Sequence, residues 1–66
     1  MFLTVNGKSM DVPAGLTVDG LLSHLSIKRQ YTAVAVNREI TPKGEYDTLT
    51  LKDGDKVEIV RPMGGG

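Results

Sequence analysis

There is no cysteine in the 66 residues, and that absence removes disulfide staples, thiolate metal sites and a cysteine nucleophile together. Tryptophan is missing too, and Phe2, Tyr31 and Tyr46 are too scattered to stack successive bases. An excess of either charge is lacking: eight Lys plus Arg stand against eight Asp plus Glu, for a formal net charge of zero. A pI near 6.5 offers no basic field of the kind a phosphate backbone requires, so no nucleic-acid partner is expected. Long hydrophobic runs are also absent. The longest is Ala33 to Val36, and Met1 is followed by neither a cationic stretch nor an apolar leader core. No membrane association is expected, and the expected location is cytoplasmic.

The short chain adds its own exclusions. Sixty-six residues suit a single core, and a chain of that size removes only about 60% of its unfolded surface from water. Such a core has no space for a large buried cofactor, so a cavity enzyme is not expected. His24 is the only histidine; it falls on the polar side of a helical pattern, and Ser23 beside it points about 100° away, so the two form no nucleophile and base pair. Asp53-Gly54-Asp55 lacks the closing glutamate of a calcium loop and reads as a tight turn with two solvated acids. Glu45, Asp47, Asp53, Asp55 and Glu58 outnumber Lys52 and Lys56, an acidic bias that suits a solvated face or the steering of a partner. No catalytic residue and no metal ligand set is expected in this chain.

What is present reads as strands around one helix. Phe2 to Val5 and Lys8 to Val12 are strand-like runs joined by Asn6-Gly7, the strongest short hairpin signal. Beyond Pro13-Ala14-Gly15, the residues Val18, Leu21, Leu22 and Leu25 recur at i, i+3, i+4 and i+7. That spacing predicts a helix from Thr17 to Leu25, extending at most to Ile27, with Thr17 as N-cap, Asp19 in the first turn, and Lys28 and Arg29 near the negative end. Gly20 within it costs up to about 1 kcal/mol against alanine, so this helix depends on tertiary packing.

Thr32 to Val36 has no polar alternation, which predicts a strand buried on both faces or closely overlaid by the helix, central or nearly so. Asn37 to Asp47 is polar and accommodates at most one short strand around Glu39 to Thr41. Thr48 to Leu51 and Lys56 to Val60 alternate and read as two further strands. Pro62 has no amide to donate, so pairing should lapse there. The order predicts an α+β chain with a β-grasp fold: one mixed sheet of four to five strands packed on one main helix, the first and last strands parallel and adjacent at its centre. The expected organisation is a domain over residues 1–63 and a flexible glycine tail over 64–66.

Gly64, Gly65 and Gly66 admit a plain reading as an unstructured end and a chemical one. A glycine has no Cβ, so an enzyme can enclose such a segment in a channel that any side chain would block. Four to five extended residues counted from Pro62 reach about 13 to 18 Å, enough to enter a partner's active site while the domain docks outside. A terminal carboxylate, ionised at neutral pH, can attack the α-phosphate of ATP and become a mixed anhydride. Val60, Arg61, Pro62 and Met63 lie where a partner must grip the fold to aim the tail; Val60 as ordinary core is the other reading.

Four blocks carry a resemblance: Gly15-Leu16-Thr17-Val18-Asp19-Gly20-Leu21-Leu22, Ala35-Val36-Asn37-Arg38-Glu39-Ile40-Thr41-Pro42, Leu51-Lys52-Asp53-Gly54-Asp55-Lys56-Val57-Glu58-Ile59-Val60, and the terminal glycines. In this order the chain resembles the ThiS family, the sulfur carriers of bacterial thiamin biosynthesis, whose fold is ubiquitin-like. The resemblance implies a protein co-substrate rather than an enzyme. Gly66 would be adenylated by a ThiF-type E1-like enzyme, converted to a thiocarboxylate with sulfur from a desulfurase or persulfide donor, and used by a ThiG-type thiazole synthase. ATP and magnesium would belong to the activating enzyme, with no cofactor bound by this chain. Gly65 and Gly66 match the family's diglycine; Gly64 extends it, leaving Gly66 or, after trimming, Gly65 as the working terminus. Tyr46 sits where similar proteins carry Trp or Tyr. Other readings with the same fold are a molybdopterin-synthase-type small subunit, a ubiquitin-like protein modifier, and an interaction module whose tail is incidental.

Overall fold

The computed structural model describes residues 1–61. Strand β1 (Phe2–Val5) and strand β2 (Lys8–Asp11) form the expected antiparallel hairpin, with Val5 opposite Lys8. Asn6 and Gly7 both have positive φ, at 49° and 83°, the left-handed pair that a two-residue hairpin turn demands. Helix α1 (Val18–His24) follows, then a 3-10 turn over Arg29–Tyr31, strand β3 (Ala33–Val36), strand β4 (Glu39–Ile40), a second 3-10 turn over Lys43–Glu45 and strand β5 (Lys56–Val60). The sheet order is β2-β1-β5-β3-β4, with β1 and β5 parallel and all other pairs antiparallel. The architecture is the expected β-grasp: one mixed five-stranded sheet on one helix, with the first and last strands adjacent.

Thr17 caps the helix by accepting the Gly20 amide at 3.0 Å, and Asp19 occupies the first turn as expected. Val18, Leu21 and Leu22 are fully buried against Leu3, Val5, Val34, Val57 and Ile59 of the sheet. At the other end, the Ile27 amide donates to Leu22 O at 2.8 Å and the Ser26 amide to Ser23 O at 3.0 Å. These two bonds make a Schellman termination, and its left-handed residue is Ser26, at φ 59°.

Several expectations are corrected. Thr48 to Leu51 is not a strand of the sheet: it lies against the approach to the helix, with a single bridge between Thr17 and Thr50. Val18 donates to Leu49 O at 3.0 Å and Leu51 to Leu16 O at 2.8 Å. Its alternation is real, since Leu51 is buried and Leu49 packs on the core, but its hydrogen-bonding partner is a helix entry instead of a sheet edge. Strand β3 is not buried on both faces. Val34 is inside, whereas Ala33 is exposed and Ala35 half-exposed on a face that no second layer covers; two methyl groups make an outer face look apolar in sequence without requiring burial. The place of β3 in the sheet is as expected: β5 holds the centre beside β1, and β3 lies one place outward.

Arg29 does not serve the negative end of α1. It folds back to Asp19 at 3.4 Å and Asp47 at 3.0 Å, donates to Lys43 O at 2.9 Å, and sets its guanidinium 5.5 Å from the ring centroid of Tyr46. The acids of the last turn are not simply solvated either. Asp53 accepts the Phe2 amide at 2.7 Å; Asp55 accepts the Lys52 amide at 2.8 Å and the Asn37 side chain at 3.0 Å. Three of the five acids behind the expected acidic bias therefore have work inside the fold.

Candidate functional site at the end of strand β5

Strand β5 is the last element among the described residues. Its alternation is complete: Val57 and Ile59 are buried, while Lys56, Glu58 and Val60 face water. Neighbours hold its backbone on both sides. Toward β3 the pairs run from Val36 with Val57 to Ala33 with Val60. On the other side the ladder with β1 reaches only Val5 and Val57, and Asn6 extends it by one rung. The Asn6 amide donates to Val57 O at 2.9 Å, its side-chain amide donates to Ile59 O at 3.2 Å, and its Oδ1 accepts the Ile59 amide at 2.8 Å. Asn37 does the same at the strand's start, donating its amide to Lys56 O at 2.7 Å and accepting the Lys56 amide at 3.0 Å. Two turn asparagines, both left-handed at φ 49° and 51°, thus clamp the two ends of one strand.

Val60 is 61% exposed, which excludes the core reading of that residue. It stands beside Ala33 across the β3 ladder, and Ala35 connects that pair to Ile40 on β4. Ile40 is 73% exposed. Together the four make an apolar strip on the helix-free face, with Arg38 and Glu58 beside it around a shallow hollow of about 320 Å³. Arg61 follows Val60 and is exposed. Of the expected site residues, the structure thus brings Val60 and Arg61 to the surface at the strand's end. Pro62, Met63, Gly64, Gly65 and Gly66 lie outside the described residues, as does the expected domain boundary after residue 63.

His24 is exposed, and no group of three or more His, Cys, Asp or Glu side chains that could hold a metal ion occurs among the described residues. Among those residues, too, no helix is long and apolar enough to cross a membrane. Sequence reasoning placed Ile40 in the short strand it allowed around Glu39 to Thr41, now β4, but missed the strip itself, because nothing local pairs that strand with Ala35 or pairs Ala33 with Val60. It also missed Asn6 and Asn37 as clamps; the signal available for them was asparagine at each hairpin turn.

The family model described as the ThiS family matches residues 3–66. A thiazole synthase of Paramagnetospirillum magneticum is 42% identical over 66 residues, all of this chain, but the chain spans only about 20% of that protein's length. The sulfur carrier protein ThiS of Escherichia coli is 30% identical over 66 residues, covering 100% of both chains. The crystal structure of a thiamine biosynthesis protein, ThiS, from Geobacter metallireducens superposes with a TM-score of 0.87 at 43% identity, again over 100% of each chain. With its parallel β1–β5 centre, single helix and a match that reaches residue 66, the chain belongs to the ThiS family of sulfur carriers of thiamin biosynthesis.

Proposed function

We propose that this chain is a protein co-substrate whose Gly66 carboxyl group carries sulfur to a thiazole synthase. The observation that carries the reading is the family match running through residue 66, so that Gly64, Gly65 and Gly66 fall inside the family's pattern. The Gly66 carboxylate attacks the α-phosphate of ATP on an E1-like activating enzyme; pyrophosphate leaves and an acyl adenylate forms. An unactivated carboxylate resists acyl transfer, whereas the adenylate has AMP as leaving group. The terminal sulfur of a persulfide, from a desulfurase or persulfide donor, displaces AMP to give an acyl disulfide; a second thiol then attacks the donor's sulfur, forming a new disulfide with it and releasing the thiocarboxylate that is delivered to the synthase. ATP and Mg²⁺ belong to the activating enzyme, because the chain has neither a phosphate-binding glycine loop nor a P-loop lysine. The pairing with a thiazole synthase is supported by a relative of that name whose own chain includes a stretch similar to all 66 residues here.

Within this scheme Val60, Arg61, Pro62 and Met63 dock, Gly64 and Gly65 thread, and Gly66 reacts. Substituting Gly65→Ala places a methyl group where the channel admits only hydrogen, and it slows adenylation, read as ATP–pyrophosphate exchange, by about tenfold or more for a penalty of about 1.4 kcal/mol or more. The unfolding free energy changes by no more than the spread of surface substitutions, about 0.5 kcal/mol. Equal exchange rates for parent and variant would mean that the tail is not threaded.

A further inference from the structure

A second surface lies beside the exit of β5, on the helix side of the sheet. Between the end of α1, the β1–β2 turn and the last residues of β5 is an open pocket of about 430 Å³, with Met10, Leu25, Ile27 and Ile59 in its lining and Lys8 and Arg61 as its cations. The volume falls in the range of small-ligand clefts and exceeds what one apolar side chain fills. Met10, Leu25 and Ile27 pack on the core yet remain only partly buried. The lining holds no Asp or Glu, and among the described residues the ion pairs involve only Met1 and Arg29 as cations, so neither Lys8 nor Arg61 is neutralised there. By contrast, the strip on the opposite face has Arg38 and Glu58 of opposite sign beside it.

We infer that this pocket receives a peptide segment of a partner protein that presents a large apolar side chain flanked by carboxylates. The apolar side chain displaces water from the Met10, Leu25, Ile27 and Ile59 surface, and the flanking acids pair with Lys8 on one side and Arg61 on the other. Charge complementarity selects this occupant: a basic or neutral segment would leave both cations uncompensated as the pocket loses water. Arg61 belongs both to this rim and to the segment that leads to the tail, so a partner seated here is beside whatever acts on that tail. Identifying the partner as the enzyme that works on Gly66 rests on the function proposed above; the binding site itself does not.

The test is a titration of the isotope-labelled full chain, followed by amide chemical shifts, with two peptides of equal size, acetyl-Glu-Leu-Glu-amide and acetyl-Lys-Leu-Lys-amide. The acidic peptide is expected to produce saturable shifts at Lys8, Leu25, Ile27 and Ile59 with a dissociation constant in the millimolar range. At low salt it should bind at least fivefold more tightly than the basic one. Lys8→Glu, at an exposed turn-flanking site remote in sequence from the tail, should abolish that preference, whereas Lys52→Glu, the same charge change beyond the other end of β5, should retain it. Equal binding of the two peptides, or shifts confined to Ala33, Ile40 and Val60, would overturn the inference. Because the readout is binding alone, failure of the tail chemistry would leave this result standing, and failure here would leave the tail chemistry standing.

Discussion

Ser26 holds the left-handed position of the helix termination at φ 59° without being glycine, and Arg38 holds the second turn position between β3 and β4 at φ 70°. A side chain in that region costs about 1–2 kcal/mol, which glycine avoids at the expense of greater freedom in the unfolded chain. Ser26→Gly is therefore expected to stabilise the domain by about 0.5–1 kcal/mol, raising the melting temperature by about 2–8 °C for a chain of this length. A lower melting temperature would mean that the Ser26 side chain makes a contact worth more than its strain. Tyr46 shows the opposite kind of residue, one whose place depends on distant partners. It is 1% exposed in the core, its carbonyl accepts the Asp19 amide at 2.8 Å, and Arg29 lies over its ring. In the sequence it sits in a polar stretch with no periodicity around it, so nothing local marked it as core.

Among the elements, β5 is the one on which the other parts of the fold converge. β1 supplies one side and β3 the other, and the asparagine side chains supply the rungs the strands cannot reach. The two side-chain bonds from Asn6 to Ile59 contribute about 1–3 kcal/mol together. Asn6→Gly, which keeps the left-handed turn, should lose that amount, and Asn6→Ala about 1 kcal/mol more through backbone strain; chemical denaturation of both variants reads the two terms separately. Equal stability of parent and Asn6→Gly would mean that the clamp contributes nothing. Elements with local signals were legible beforehand. Asn6-Gly7 marks its own hairpin, and Val18, Leu21, Leu22 and Leu25 mark their own helix, bounded by a cap at Thr17. Thr48 to Leu51 was misread because alternation reports which side chains face the core, whereas strand membership depends on which backbone lies alongside. Asn37-Arg38 is a hairpin turn of the same conformation as Asn6-Gly7, hidden because arginine replaces the glycine that advertises it. The pocket beside β5 was invisible for a related reason, since its walls come from three segments far apart in the chain.

For the molecule as a whole, charge is balanced, with eight Lys plus Arg against eight Asp plus Glu, and cysteine is absent. The parallel β1–β5 pair lies at the middle of the sheet, with an apolar strip on one face and a cationic-rimmed pocket on the other. Any sulfur carried by a chain without cysteine must be held by another group, and the scheme proposed here assigns it to the Gly66 carboxyl carbon. The most direct measurement is the intact mass of the full chain after incubation with ATP, Mg²⁺, an E1-like activating enzyme, a persulfide donor and a thiol reductant, with the modified position located by fragmentation. The account predicts replacement of one oxygen by one sulfur, located at Gly66 and dependent on ATP. An unchanged mass, or a modification located on a lysine side chain, would contradict it.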